Sequence, residues 1–280
     1  MSGEGFAARA RRNRGFVLGA VLVATVVAAA AISLAWTPYP PTAIDVPHKL
    51  LEPSPAHWLG TDSLGRDIVS QLMAGARVSI LVGIIAVGIG LAFGVALGLV
   101  AASARGAAEA VIMNLCDFTF AFPALLLAIM LTAVLGPGVV NAITAIGVAN
   151  VPIFAKLTRA LGNGVLARDY AMAARAAGKG PLAIALEHVL PNVAPALIVQ
   201  ATIQFAIAIL AEAALSYLGL GAQPPQASWG RMLSDAQQYM FLAPRLAVFP
   251  GVAIAIAVFG LNLLGDGLRD ALDPRLRARR

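Results

Sequence analysis

A chain of 280 residues that is 59% hydrophobic and only 12% charged, with a mean hydropathy of +0.82, is not an ordinary water-soluble domain, in which about 25% of residues are charged. So much apolar surface needs the bilayer as solvent. The net charge of +6 is not read as a nucleic-acid signal, because its basic residues gather on one side of the predicted spans, and the single cysteine, Cys116, excludes an internal disulfide framework.

A membrane-crossing helix takes about 20 apolar residues. Residues 1–14 form a tail with Arg9, Arg11, Arg12 and Arg14, and the uncharged run that follows predicts a first span over 15–36. The basic-then-apolar order is also that of a secretory signal. A cleaved signal has an apolar region of about 7–15 residues; this run is longer and more spans follow, so an uncleaved anchor is expected. Residues 37–77 make an outer segment rich in Pro, Gly and aromatics. A core of five more spans is expected over 78–265. Its first span is Val78–Ala104. The uncharged run Phe118–Ala155 is too long for one span and is divided by Gly136, Pro137 and Gly138. Asn192–Ala211 and Leu246–Gly265 complete six, around an inner loop at 160–191 and an outer loop at 219–245. The tail 266–280 is basic. The expected fold class is therefore an all-α polytopic membrane protein with six transmembrane helices.

Orientation follows from Lys and Arg, which are in excess on the cytoplasmic side. The four arginines of the N-terminal tail fall on the same side as Arg105, Lys156, Arg159, Arg168, Arg175, Lys179, Arg269, Arg275, Arg277, Arg279 and Arg280. Lys49, Arg66, Arg231 and Arg245 fall on the other, with Arg77 near a border. Both termini are expected in the cytoplasm, with lipid and not nucleic acid as the partner of the basic excess.

Enzymatic chemistry needs convergent titratable groups. His48 and His57 fall outside and His188 inside, with no HExxH and no Gly-x-Ser-x-Gly. The sequence GKGPLA at 178–183 superficially resembles a phosphate loop but lacks its spacing. No catalytic residue, metal site or bound cofactor is expected on this chain.

The inner loop is unusual. Asp169 is a helix start, YAMAARAA is a strong helix former, Gly178 suits the left-handed residue that ends a helix, and Pro181 suits the first turn of the next. The pattern predicts helix, sharp turn, helix, with small side chains that let another protein approach the backbone. A solvated Ala-rich connection is the plainer alternative, but the loop is long for that and poor in charge.

AARAAG followed by HVLPN resembles the cytoplasmic coupling loop of inner-membrane subunits of binding-protein-dependent ABC importers, whose general form is Glu-Ala-Ala-x3-Gly-x9-Ile-x-Leu-Pro. Ala173, Ala174, Gly178, Leu190 and Pro191 match it in register, with Met172 in place of the Glu and His188 in place of the Ile. Both departures look like the peptide/nickel branch. His57–Gly83, Leu215–Leu233 and Phe249–Leu276 resemble further blocks of the dipeptide/oligopeptide C-type permeases. The resemblance implies a type I ABC importer permease in a prokaryotic inner membrane. It also implies a second homologous permease subunit, two ATPase subunits that use ATP and Mg, and an extracytoplasmic solute-binding protein. The coupling residues it implies are Ala173, Ala174, Arg175, Gly178, His188, Leu190 and Pro191.

Charges near membrane depth have two readings. Glu212, expected at the end of the fifth span, either faces the pore with Thr202 and Gln204 as lining residues, or sits at a border. Asp117, expected to open the third span, and Lys156 and Arg159, expected near the inner end of the fourth, sit at borders, snorkel or pair with a partner subunit. Asp62, Arg66 and Asp67 in the outer segment either form a salt-bridged turn or contact a partner. Trp58 and Trp229 fit interfacial anchoring. Nickel or another small solute is an alternative cargo. A secondary carrier, an intramembrane enzyme and a passive scaffold are the rivals from other classes, separated by dependence on external ATPase subunits.

Overall fold

The computed structural model describes residues 13–104 and 106–272, and the regular structure among them is helical apart from one isolated β-bridge between Thr61 and Asp67. The sequence expectations on Arg9, Arg11, Arg12, Arg105 and the arginines beyond Leu272 lie outside the described residues. Helix α1 (Arg14–Ala35) starts at Asn13, whose side-chain oxygen accepts from the Phe16 N–H at 3.1 Å, and ends at an extended Trp36. Its last carbonyls are met from outside the helix: Arg77 donates to the Ser33 carbonyl at 2.6 Å.

Helix α2 (Ile68–Ala104) begins ahead of the predicted Val78, because the Asp67 carboxylate accepts from the Ser70 N–H at 2.8 Å as a cap and a charged Arg77 is no obstacle to helix. The predicted third span is not a straight helix. It is two pieces, α3 (Gly106–Phe120) and α4 (Ala124–Leu135), bent by 89° at Pro123. Proline disfavours α geometry at the residue before it. At 12 residues α4 is about 18 Å long, too short to cross a hydrocarbon core of about 30 Å alone. By length and composition five helices among the described residues suffice for a span, or six with the bent pair.

Gly136 and Gly138, both at positive φ, turn the chain into α5 (Val139–Leu166), and Asn141 donates to the carbonyls of Leu135 and Gly136 at 2.8 and 2.9 Å. The short α6 (Asp169–Ala176) precedes α7 (Pro181–Tyr217), so the predicted fifth span is the outer part of a longer helix that starts in the inner loop. α8 (Trp229–Ala236) lies in the outer loop, and α9 (Arg245–Leu272) closes the bundle.

The centre is the α2–α5 pair. Gly90, Gly94 and Gly98, each four residues apart, leave no room for a side chain: a Cβ on Gly94 falls 2.5 Å from the Val151 carbonyl oxygen. Phe154, fully buried, fills the groove that they leave. Gly19 and Gly260 bring α1 equally close to α9. Two ends of the bundle are thereby defined. Asn13 donates to Asp270 at 3.0 Å, placing the start of α1 and the end of α9 together, with the inner loop at the same end through Val189 against Gly162 and Ala102. At the other end the Gly138 N–H donates to the Leu220 carbonyl at 3.0 Å, joining the α4–α5 turn to the end of α7.

Candidate functional site

At the inner end, α6 buries Ala171 and leaves Ala173 and Arg175 exposed, with Ala174 half-buried. Its end is a complete Schellman cap: Gly178 N–H to Arg175 carbonyl at 3.0 Å and Lys179 N–H to Ala174 carbonyl at 3.1 Å, with Gly178 at φ +83°. A Cβ on Gly178 meets nothing within 4 Å, so backbone sign and not crowding inside the chain requires glycine there. Tyr170, Met172, Leu182 and Leu186 stand exposed around the turn, Leu182 at 72%. Lys179 pairs with Glu187 beside them. An apolar patch with a charged rim marks an interaction surface.

α7 widens to a π turn over Ala185–Val189, where the Leu190 N–H reaches back to the Ala185 carbonyl. The widened turn relieves the collision that the Pro191 ring makes with the carbonyl four residues before it in a regular helix. His188 lies in this turn, its ring 5.8 Å from that of Tyr170 and its Nε2 buried without a hydrogen-bond partner. Leu190 is half-buried and Pro191 exposed. The structure thus gathers Ala173, Ala174, Arg175, Gly178, His188, Leu190 and Pro191 at one end.

The expected pore-lining residues do not form one surface. Gln204 and Glu212 are 4% and 1% exposed, inside this chain's own core, and Thr202 is half-buried with its hydroxyl donated to the Val199 carbonyl at 2.7 Å. Glu212 is not at the end of its helix. It lies more than a turn inside α7, accepts from Ser216 at 2.6 Å, and keeps a second oxygen unpaired in a setting shared with Ser79 and Ser228. Ser216 in turn accepts from the Ala222 N–H at 2.9 Å, locking the outer loop onto α7.

The outer block is a bonded turn. Asp62 accepts from the N–H groups of Leu64 and Arg66 at 2.9 and 2.8 Å, from Arg66 Nε at 2.6 Å and from Gln71 at 2.8 Å. Asp67 faces His57 at 3.0 Å, and Arg66 reaches Asp235 of α8 at 3.5 Å. Trp229, expected at the membrane interface, is instead 2% exposed and donates to the Leu72 carbonyl at 3.0 Å, whereas Trp58 is exposed. It fits because Gly75 has no side chain to meet its ring.

The charges expected at span borders pair within the chain. Asp117 lies in the last turn of α3 and pairs with Lys156 of α5, while Arg159 donates to Glu109 at 2.6 Å. Sequence reasoning did not single out Glu109, although its eight-residue spacing from Asp117 puts both on nearly one face of a helix. Together with Ala110, Met113 and Ala160 these four side chains line an open groove of about 660 Å3 between α3 and α5. Among the described residues no group of three His, Cys, Asp or Glu side chains is placed to hold a metal ion.

The described residues thus form a bundle of helices long and apolar enough to cross a membrane, with a bonded cap at one end and an exposed helix-turn-helix at the other. The family described as binding-protein-dependent transport system inner membrane component matches residues 94–278, and the chain belongs to it. It is 44% identical over 272 residues to the di/tripeptide transport system permease protein DppC of Pseudomonas aeruginosa (strain UCBPP-PA14), covering 95% of this chain and 89% of that one. It is 45% identical over 228 residues to the glutathione transport system permease protein GsiD of Pectobacterium atrosepticum, covering 81% and 75% respectively. Among solved structures, a chain of the inward-facing MetNI methionine ABC transporter superposes with a TM-score of 0.59 at 19% identity, over 72% of this chain and 97% of that one. The fold is that of a type I ABC importer permease, multi-pass in the inner membrane. A permease subunit of this family is not itself the ATPase.

Proposed function

We propose that this chain forms half of the translocation pore of an ATP-driven importer of di- and oligopeptides, coupled to separate ATPase subunits through residues 169–191. The observation that carries the reading is the exposed helix-turn-helix around Gly178, whose apolar side chains have no cover among the described residues. Peptide cargo is supported by relatives named for di/tripeptide, dipeptide and glutathione transport. A second permease subunit completes the pore, two ATPase subunits engage α6 and the start of α7, and a solute-binding protein delivers cargo to the outer cap. Both termini and the coupling turn face the cytoplasm, in keeping with the Asn13–Asp270 bond and with Arg14, Arg168, Arg175, Lys179 and Arg269 at that end. ATP-driven closure of the partners shifts the helices only through contacts that differ between the two states, which an exposed turn provides.

The test is uptake of a labelled dipeptide by cells lacking this chain, complemented with wild type or Gly178→Asp. Wild type restores uptake, and the variant, present at the same level in the membrane, does not. Equal restoration by both removes the coupling role; restoration by neither, with nickel uptake restored instead, moves the cargo to nickel.

A further inference from the structure

The carboxylate of Glu212 is a charge without a counter-charge. It is 1% exposed, and among the described residues no basic side chain pairs with it: Arg77 is committed to Ser33 of α1, and Arg231 to Asp235 of α8. The hydroxyls around it are set as donors. Ser216 accepts the Ala222 N–H and gives its own proton to Glu212 at 2.6 Å. Ser228 accepts the Arg231 N–H at 3.1 Å as the N-cap of α8, which leaves its proton for the same carboxylate. Such donors suit an ionised carboxylate. They do not neutralise it, and buried charges are paired or coordinate metals.

Two oxygens are left over. Glu212 Oε2 and Ser79 Oγ of α2 belong to this cluster, both residues are at most 1% exposed, and neither atom has a hydrogen-bond partner. A buried helical serine can return its proton to the carbonyl a turn before it; Ser79 does not.

We infer that Glu212 Oε2 and Ser79 Oγ are two ligands of a monovalent metal cation, Na+, occluded between α2, α7 and the start of α8. Hard cations take shells of oxygen. One carboxylate balances one positive charge, so Na+ leaves the buried site neutral, whereas a divalent ion leaves it charged. No second acid is needed. The seat is covered by α8: Ser228 opens that helix beside the carboxylate, and Gly230 leaves no room for a side chain against the Ala213 carbonyl of α7. Glu212 lies about 8 Å from the end of α7 at Tyr217, so the ion enters from the outer side when α8 lifts. Once seated, it fastens α2 and α7 to the outer loop at a point where no basic side chain does so.

The experiment uses the complex purified through this chain, in detergent without added sodium, with radioactive Na+ as the probe. Wild type binds one more Na+ per copy of the chain than Glu212→Gln, and unlabelled Na+ displaces it where choline does not. Ser79→Ala keeps the charge and removes one ligand, and the affinity for Na+ falls about tenfold. Thermal melting is the second readout: NaCl raises the melting temperature of wild type above that in choline chloride at equal concentration, and Glu212→Gln loses this sodium-specific rise. Equal Na+ binding by wild type and Glu212→Gln overturns the site. So does an infrared band of a protonated carboxylic acid that persists in saturating Na+ and is removed by Glu212→Gln, because a proton then balances the charge. If Glu212→Gln does not accumulate, wild type against Ser79→Ala decides, and equal affinity for Na+ overturns the site.

Discussion

The two ends of the molecule are built by opposite rules. At the outer end Asp62 alone accepts from four donors, Arg245 of α9 donates to the Leu50 carbonyl at 2.8 Å, and Trp229 is buried against α2. At the inner end the turn around Gly178 has its own Schellman bonds and one exposed ion pair, while its larger apolar side chains point outward. The outer cap finishes its contacts within one chain; the inner turn leaves its larger apolar side chains exposed. Glycine shows the contrast most directly, since a Cβ on Gly230 falls 2.1 Å from the Ala213 carbonyl oxygen and one on Gly178 touches nothing.

Substitutions test that contrast. Gly230→Leu should have the largest effect on stability, because the obstacle is backbone and overpacking costs about 1–3 kcal/mol or more; the purified chain should lose its thermal transition or fail to accumulate in membranes. Asp62→Ala leaves Arg66 Nε and Gln71 without their acceptor while Arg66 keeps Asp235, and a hydrogen bond to a charged group contributes about 1.5–3 kcal/mol, so a clear drop in melting temperature is expected. Trp229→Phe removes only the bond to the Leu72 carbonyl and costs about 1 kcal/mol by the same measurement. Gly178→Ala pays the left-handed backbone cost of roughly 1–2 kcal/mol and should reduce uptake more than melting temperature. Lys179→Ala is the smallest: it and its partner Glu187 are both exposed, and thermal melting should not shift measurably, whereas the same change in the outer cap at Arg66 should. An inner-end variant that melted early with normal uptake would break the division.

Much of this was legible because membrane helices announce themselves by apolar length, and because Gly178 and Pro181 have conformational preferences that need no tertiary context. The sequence pattern missed where helices outrun their apolar stretches: α2 starts at Ile68, α5 continues through Lys156 and Arg159, and α7 starts at Pro181. Hydropathy marks the membrane, whereas caps mark the helix. The bend at Pro123 was hidden in an uninterrupted apolar run, although the proline was its signal. Glu212 and Gln204 were misplaced for another reason: a polar residue on a span has the same sequence appearance whether it turns toward a pore or toward Ser216 in the core. Partners across space, such as Glu109 for Arg159, have no local trace at all.

The unbroken course of α7 has a mechanical consequence. From Leu190 to Tyr217 the helix is a stiff rod about 42 Å long, with the wider π turn at its base serving as a joint between the rod and the short arm Pro181–Ile184. A tilt of about 10° at that joint carries the far end sideways by roughly 7 Å, given the rod's length. The far end is where Ser216 holds the loop that follows α7, so a displacement of the arm Pro181–Ile184 reaches that loop with no intervening loop to absorb it.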